Sequence, residues 1–403
     1  MRNRKNRRRR QTGCVSVLLT IFFILCGVLA IVWGRKTGKL TGAFLETAKE
    51  IPYQSDTDHS NSETEKYYYE LLNEEEQKVY REIWNGVDAN EEEIYVHASD
   101  ADLVNRLFQY MLKDHPEIFW CDGAATATSY SGGEAYTVLK PEYQHDASER
   151  EQMETEVDVS VNECLAGISQ DASDYEKILY VYEYLINQVD YDMDAADNQN
   201  IYSVFAGKKS VCAGYSKATQ YLLEKLGVFC TYVTGTTKDG QAHAWNLVKC
   251  EGDYYYVDTT WGDPLFLAAE GEQVTDEEKI TYDYMCCDDT ELFKSHIPDA
   301  DVTLPACANM EWNYYVVNGM YHTEYNSEEI LQQMNDMISQ KSNPVVIKFA
   351  DAELYEAAHD DIFSNLIPRA AKNLADWYGI SEVKYQYLDE ENLDKITIYW
   401  QYE

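Results

Sequence analysis

The chain has 403 residues, 45% of them hydrophobic and 13% aromatic, and a formal net charge of −38. That is enough apolar material for two or three buried cores, which excludes a disordered or fibrous chain. Ten of the 33 basic residues precede Leu40 and all 71 acidic residues follow it, so the remainder presents a surface that repels nucleic acid and anionic lipid headgroups, and no nucleic-acid partner is expected.

Residues 1–13 carry seven basic groups and are followed by an uncharged apolar run from Cys14 to Trp33. The run is about the length that crosses a bilayer as a helix, with Trp33 where an interfacial aromatic sits. It is longer than the apolar stretch of a signal peptide and lacks a small-residue cleavage site before Arg35, so an uncleaved anchor is expected. The basic excess on its N-terminal side places the N-terminus in the cytoplasm and the rest outside the cell. The expected divisions are a cytoplasmic segment at 1–13, a transmembrane helix at 14–34 and a polar linker at 35–65.

An N-terminal α+β region is expected at 66–145. Asn73 followed by acids reads as the cap of a helix carrying Val79, Tyr80, Ile83 and Trp84. A second helix is expected from Ala101 to Lys113, then extended segments at 116–120 and 136–139 around the turn at Gly132-Gly133. Helical spacing returns from Glu149 to Ile168 and from Asp174 to Gln188. The acidic loop with Asp190, Asp192, Asp194 and Asp197 fails as an EF-hand, because Ala195 and Ile201 stand where Gly and Glu are required. A looser calcium site and a solvated loop both stay open there. Ten cysteines include no Cys-x-x-Cys pair, so neither a zinc ribbon nor a thioredoxin-type site is expected; no metal or cofactor is assigned.

The chain changes character at Val211-Cys212-Ala213-Gly214-Tyr215. From Cys212 to Leu226 the apolar spacing predicts an amphipathic helix closed by Gly227, which puts Cys212 at a helix N-terminus, where the dipole and free N–H groups favour a thiolate and a developing oxyanion. Three strands follow, 228–234, 243–249 and 254–258, separated by turns at Lys238-Asp239-Gly240 and Asp253. In an antiparallel meander the start of the second strand, His243, lies beside the end of the third, Asp258. A thiol needs a base, and the base needs an acceptor on its other ring nitrogen. Cys212, His243 and Asp258 are therefore the candidate nucleophile, base and orienting acid.

The motifs around these residues, with Ala242-His243-Ala244-Trp245-Asn246 and Tyr256-Val257-Asp258-Thr259-Thr260-Trp261, resemble the transglutaminase-like superfamily in its bacterial cell-surface branch. The resemblance covers roughly 174–264. It implies an α+β, papain-like core in which a helix-borne cysteine packs on an antiparallel sheet, here expected at 146–300, with Cys212, His243 and Asp258 as the catalytic residues. It also implies a thioester intermediate resolved by water or by an amine. Ala206 stands where papain-like proteases carry a glutamine six residues before the cysteine, so no oxyanion side chain is assigned.

The last part, 301–403, is expected to be an α+β accessory domain with strand-like 312–317, a helix at 327–340, a strand at 344–349, a helix at 370–378 and a strand at 395–400. The whole reads as a membrane-anchored, outward-facing acyltransferase, peptidase or amidase acting on protein or peptide amides at the cell envelope. The alternative is a catalytically silent surface module for adhesion or wall binding on the same fold.

Overall fold

The computed structural model describes residues 51–54, 66–263 and 280–402. The expected membrane span, the segment before it, most of the linker and the acidic insertion at 264–279 lie outside the described residues. Among the described residues no helix is long and apolar enough to cross a membrane. Contacts divide the chain into Met1–Ile51 and Pro52–Glu403, and the second unit holds every element that follows. Tyr53, within the expected linker, bridges Tyr95 and stacks on His97 with ring centroids 3.5 Å apart.

The Asn73 side chain accepts the N–H groups of Glu75 and Glu76 while Glu76 reaches back to the Asn73 N–H. This capping box starts the first long helix, α1 (Glu74–Asp88). Strand β1 (Ile94–Val96) follows, then α2 (Ala101–Asp114), β2 (Cys121–Tyr130) and β3 (Tyr136–Tyr143). The strands form an antiparallel sheet in the order β1-β3-β2. Residues 116–120, expected to be extended, form a turn. The Ile118 N–H bonds the His115 carbonyl and the Phe119 N–H the Glu117 carbonyl, so these donors are used locally rather than by a neighbouring strand.

Three helices come next in sequence: α3 (Ala147–Leu165), α4 (Asp174–Gln188) and α5 (Cys212–Lys225), with the short parallel pair β4 (Asp190–Tyr191) and β5 (Lys209–Ser210) before α5. The expected meander is present as β6 (Cys230–Thr237), β7 (Ala242–Cys250) and β8 (Asp253–Val257). Two later strands, β9 (Met285–Cys287) and β10 (His296–Pro298), extend it on either side into a five-stranded antiparallel sheet of order β10-β6-β7-β8-β9. Alternation along the strands gives the sheet two apolar faces. Val248, Tyr255, Val257 and Met285 join the core that holds Leu222 and Leu223 of α5 and Val181 and Leu185 of α4. Val233, Trp245, Leu247 and Tyr256 form a second cluster with Tyr284 and Leu292. Each such side chain, fully buried, contributes about 1.5–3 kcal/mol, so helix and sheet are held together by packing as well as by hydrogen bonds.

The C-terminal part comprises β11 (Tyr321–His322), α6 (Ser327–Ser339), β12 (Val345–Phe349), α7 (Ala352–Asp361), α8 (Ile367–Tyr378), β13 (Tyr385–Glu390) and β14 (Lys395–Trp400). Its four-stranded sheet has the order β11-β12-β14-β13, and its core of Ile330, Met334, Ile347, Phe349, Ile396 and Ile398 is its own. The segment 312–317 is not a strand. Asn313 accepts the Tyr315 N–H and caps a helical turn, Tyr314–Val317, so the local cap overrides the β propensity of Tyr and Val. Two lysines of this part reach toward β9. Lys348 Nζ lies 2.6 Å from Glu291 and 3.4 Å from Asp283, and Lys395 bonds Asp283. All four side chains are buried.

Candidate active site

Cys212 is the first residue of α5, and Val211, in extended conformation, supplies no capping side chain. The N–H groups of that first turn are therefore not taken up by a cap, which leaves the positive end of the helix at the thiol. The approach to the helix is fixed from behind. Ser210 Oγ lies 2.7 Å from Ser203 Oγ and donates to the Asn198 carbonyl at 2.9 Å. Gly214 allows this: a Cβ there would lie 1.9 Å from Ser210 Oγ and 3.1 Å from the Asn200 carbonyl. Tyr215 holds the next turn, its hydroxyl 2.6 Å from the Val189 carbonyl and 2.7 Å from Asp263 Oδ2.

The helix is clamped to β7 by a reciprocal pair of bonds. Ser216 Oγ donates to the Ala244 carbonyl at 2.9 Å, and Asn246 Nδ2 donates to the Ser216 carbonyl at 2.9 Å. Asn246 thus locates β7 against the helix, while His243 stands near the start of the same strand, stacked on Trp245. Cys212 is half-buried, whereas His243 and Asp258 are buried.

Asp258 follows directly on β8. Its Oδ1 accepts the N–H groups of Thr260 and Trp261 at 2.9 and 3.1 Å, and its Oδ2 lies 2.7 Å from His243 Nε2. An ionised carboxylate only accepts, so His243 carries a proton on Nε2, and Nδ1 is the ring nitrogen not engaged by Asp258. Burial alone would favour the neutral ring. The charge and hydrogen bond of Asp258, with a hydrogen bond to Cys212, outweigh it and raise His243 to about 10. Burial likewise works against the Asp258 carboxylate, yet His243 and His296 hold it well below the usual range. Both shifts describe one imidazolium–carboxylate pair.

The structure thus brings together the three residues singled out in the sequence and adds a fourth. His296, on β10, places Nε2 3.0 Å from the same Asp258 Oδ2. Trp245, Trp261 and His296 surround the His243 ring, with centroids 5.9, 5.9 and 5.2 Å away. His243, Asp258 and His296 also form a set of ligand-type atoms within 4.8 Å of one another, but the 2.7 and 3.0 Å separations are those of hydrogen bonds and account for the grouping. Ala206 is exposed in the π-helical turn Ser203–Gly207, and its side chain has no donor to offer. In the acidic loop Asp192 pairs with Lys209 and Asp197 with His145.

A helix-borne cysteine packed on an antiparallel sheet, facing a histidine–aspartate pair, defines the class. The family profile of the transglutaminase-like superfamily core matches residues 163–259, and this stretch is a transglutaminase-like domain. Among known proteins the chain is similar to kyphoscoliosis peptidase of Mus musculus, 30% identical over 122 residues, which is 26% of this chain and 18% of that protein. It is also similar to kyphoscoliosis peptidase of Homo sapiens, 25% identical over 158 residues, 34% of this chain and 23% of that protein. The chain therefore spans about a fifth of the length of these relatives. A crystal structure described as a TGase overlaps 38% of this chain and 47% of its own at 14% identity, with a TM-score of 0.26.

Proposed function

We propose that the chain is a cysteine acyltransferase or hydrolase of protein or peptide amides, with Cys212 as nucleophile, His243 as base and acid, and Asp258 as the group that orients it. The observation that carries this is the buried His243–Asp258 pair, Nε2 to Oδ2 at 2.7 Å, with the Cys212 side chain near enough to act on the His243 ring. His243 takes the thiol proton and the thiolate attacks the amide carbonyl, forming a C–S bond. The resulting oxyanion is met by N–H groups of the first turn of α5. Collapse breaks the C–N bond as His243 returns the proton to the leaving amine, and a thioester remains on Cys212. Water or a second amine then attacks the thioester, giving its proton to His243, and the thiol leaves. Peptidase naming of the relatives supports an amide substrate.

The test is the rate at which iodoacetamide alkylates Cys212 at neutral pH, with Cys212→Ala as the control. Labelling faster than a free thiol is expected; labelling no faster would falsify the reading in favour of a silent module. Mass spectrometry of envelope proteins with and without Cys212→Ala then separates isopeptide bonds, deamidated glutamine and new peptide termini, which are the signatures of cross-linking, deamidation and proteolysis. Membrane attachment through 14–34, with the catalytic part outside the cell, belongs to the same proposal. Protease shaving of intact cells is expected to release fragments from beyond residue 40, and protection there would reverse the orientation.

A further inference from the structure

We propose that His296 is a positioning residue of the site, holding the Asp258 carboxylate so that it aligns His243 on Cys212. This rests on the catalytic reading above and deepens it. His296 is 1% exposed. Its Nε2 meets Asp258 Oδ2 at 3.0 Å and its Nδ1 meets Ser295 Oγ at 2.7 Å, while Ser295 Oγ lies 2.7 Å from the Tyr284 hydroxyl. Since an ionised carboxylate cannot donate, the His296 contact is an N–H donated to Oδ2. With the Thr260 and Trp261 N–H groups on Oδ1 and His243 on Oδ2, both oxygens of Asp258 are doubly engaged. The two backbone donors anchor one oxygen only. What fixes the direction in which the other faces is His296, itself fixed by Ser295.

The position of β10 makes this contact possible. β10 is an edge strand of the sheet, His296 pairs with Thr237 of its neighbour β6, and Gly235 admits that pairing, because a Cβ there would lie 2.2 Å from the Ile297 carbonyl and 2.7 Å from the Trp245 ring. A histidine in a purely apolar niche would leave its ring nitrogens unpartnered; this one has both occupied. The titratable groups facing the His243–Asp258 pair are Cys212 on α5, His296 on β10, and the Tyr182 hydroxyl of α4.

The experiment uses the full chain and the iodoacetamide alkylation rate of Cys212 followed from pH 5 to 11, with peptide mass spectrometry to localise the label. His296→Phe fills the space without an N–H; His296→Gln keeps an N–H that can reach Oδ2. In wild type the inflection due to His243 is expected at about 10. In His296→Phe the neutral-pH rate is expected to fall about 10-fold or more and the inflection to move to lower pH, because His243 loses its aligned carboxylate. His296→Gln is expected to restore both. An inflection unmoved or raised in His296→Phe, or a rate loss that His296→Gln does not restore while the variant melts like wild type, overturns the proposal. A wild-type Cys212 that reacts no faster than a free thiol removes the catalytic reading and this one together, whereas fast wild type with unchanged His296→Phe removes this one alone.

Discussion

Asp258 is ionised, buried and met by donors on both oxygens, so its neighbours depend on its charge. Asp258→Asn is expected to bring the His243 inflection in Cys212 alkylation down from about 10 toward the ordinary imidazole range near 6.5. It is also expected to destabilise the fold by about 3–5 kcal/mol, the cost of removing one partner from a buried pair. The raised His243 contributes stability that is complete below the unfolded imidazole value and is lost as pH rises through about 10. The depressed Asp258 contributes stability that is complete above the unfolded carboxylate range and is lost as pH falls through its low folded value. Urea midpoints of wild type and Asp258→Asn should therefore differ most at neutral pH and converge at both extremes. The three expected residues were legible because each sits at a predictable place: a helix start, a strand start, a strand end. His296 was not, because a three-residue strand separated from β8 by a long stretch of chain carries no periodicity.

At the scale of elements, the site is a helix docked on a strand, and the docking has its own determinants. Ser216→Ala removes the donor to the Ala244 carbonyl and is expected to cost about 1–2 kcal/mol in urea unfolding, with slower alkylation of Cys212 as α5 loses its register on β7. Gly214→Ala forces a Cβ against Ser210 Oγ; a lower melting temperature with loss of fast labelling is expected, and wild-type labelling would show that the helix start tolerates the shift. Helices were legible where a cap or apolar spacing announced them: Asn73, the spacing after Asp174 and the spacing after Cys212 all start helices in the structure. At 312–317 aromatic and β-branched residues argued for a strand, but one asparagine cap decided the local conformation. At 385–390 a strand went unread because most of its residues are exposed and its pattern is too polar to signal one.

For the whole molecule, the C-terminal part has its own core and yet is ionically tied to the layer that carries the site. Lys348 and Lys395 neutralise Asp283 and Glu291, which flank the stretch supplying Tyr284, and the Tyr284 carbonyl accepts the Asp258 N–H at 3.0 Å. Lys348→Met is expected to destabilise by about 3–5 kcal/mol, and adding Glu291→Leu to recover part of it, since a paired loss is cheaper than a buried unpaired charge; equal midpoints for Lys348→Met and wild type would show that water reaches the cluster. The sequence pattern marked 301–403 as a separate α+β piece, and only the fold shows this charged seam, because ion partners that lie 57 and 112 residues apart leave no local trace. The seam also orders events during synthesis. The segment bearing Cys212, His243 and Asp258 emerges from the ribosome well before Lys348 and Lys395, so until the last strands arrive Asp283 has neither of these lysines and Glu291 has only Lys294. The stretch whose Tyr284 carbonyl accepts the Asp258 N–H therefore gains its buried counter-charges last.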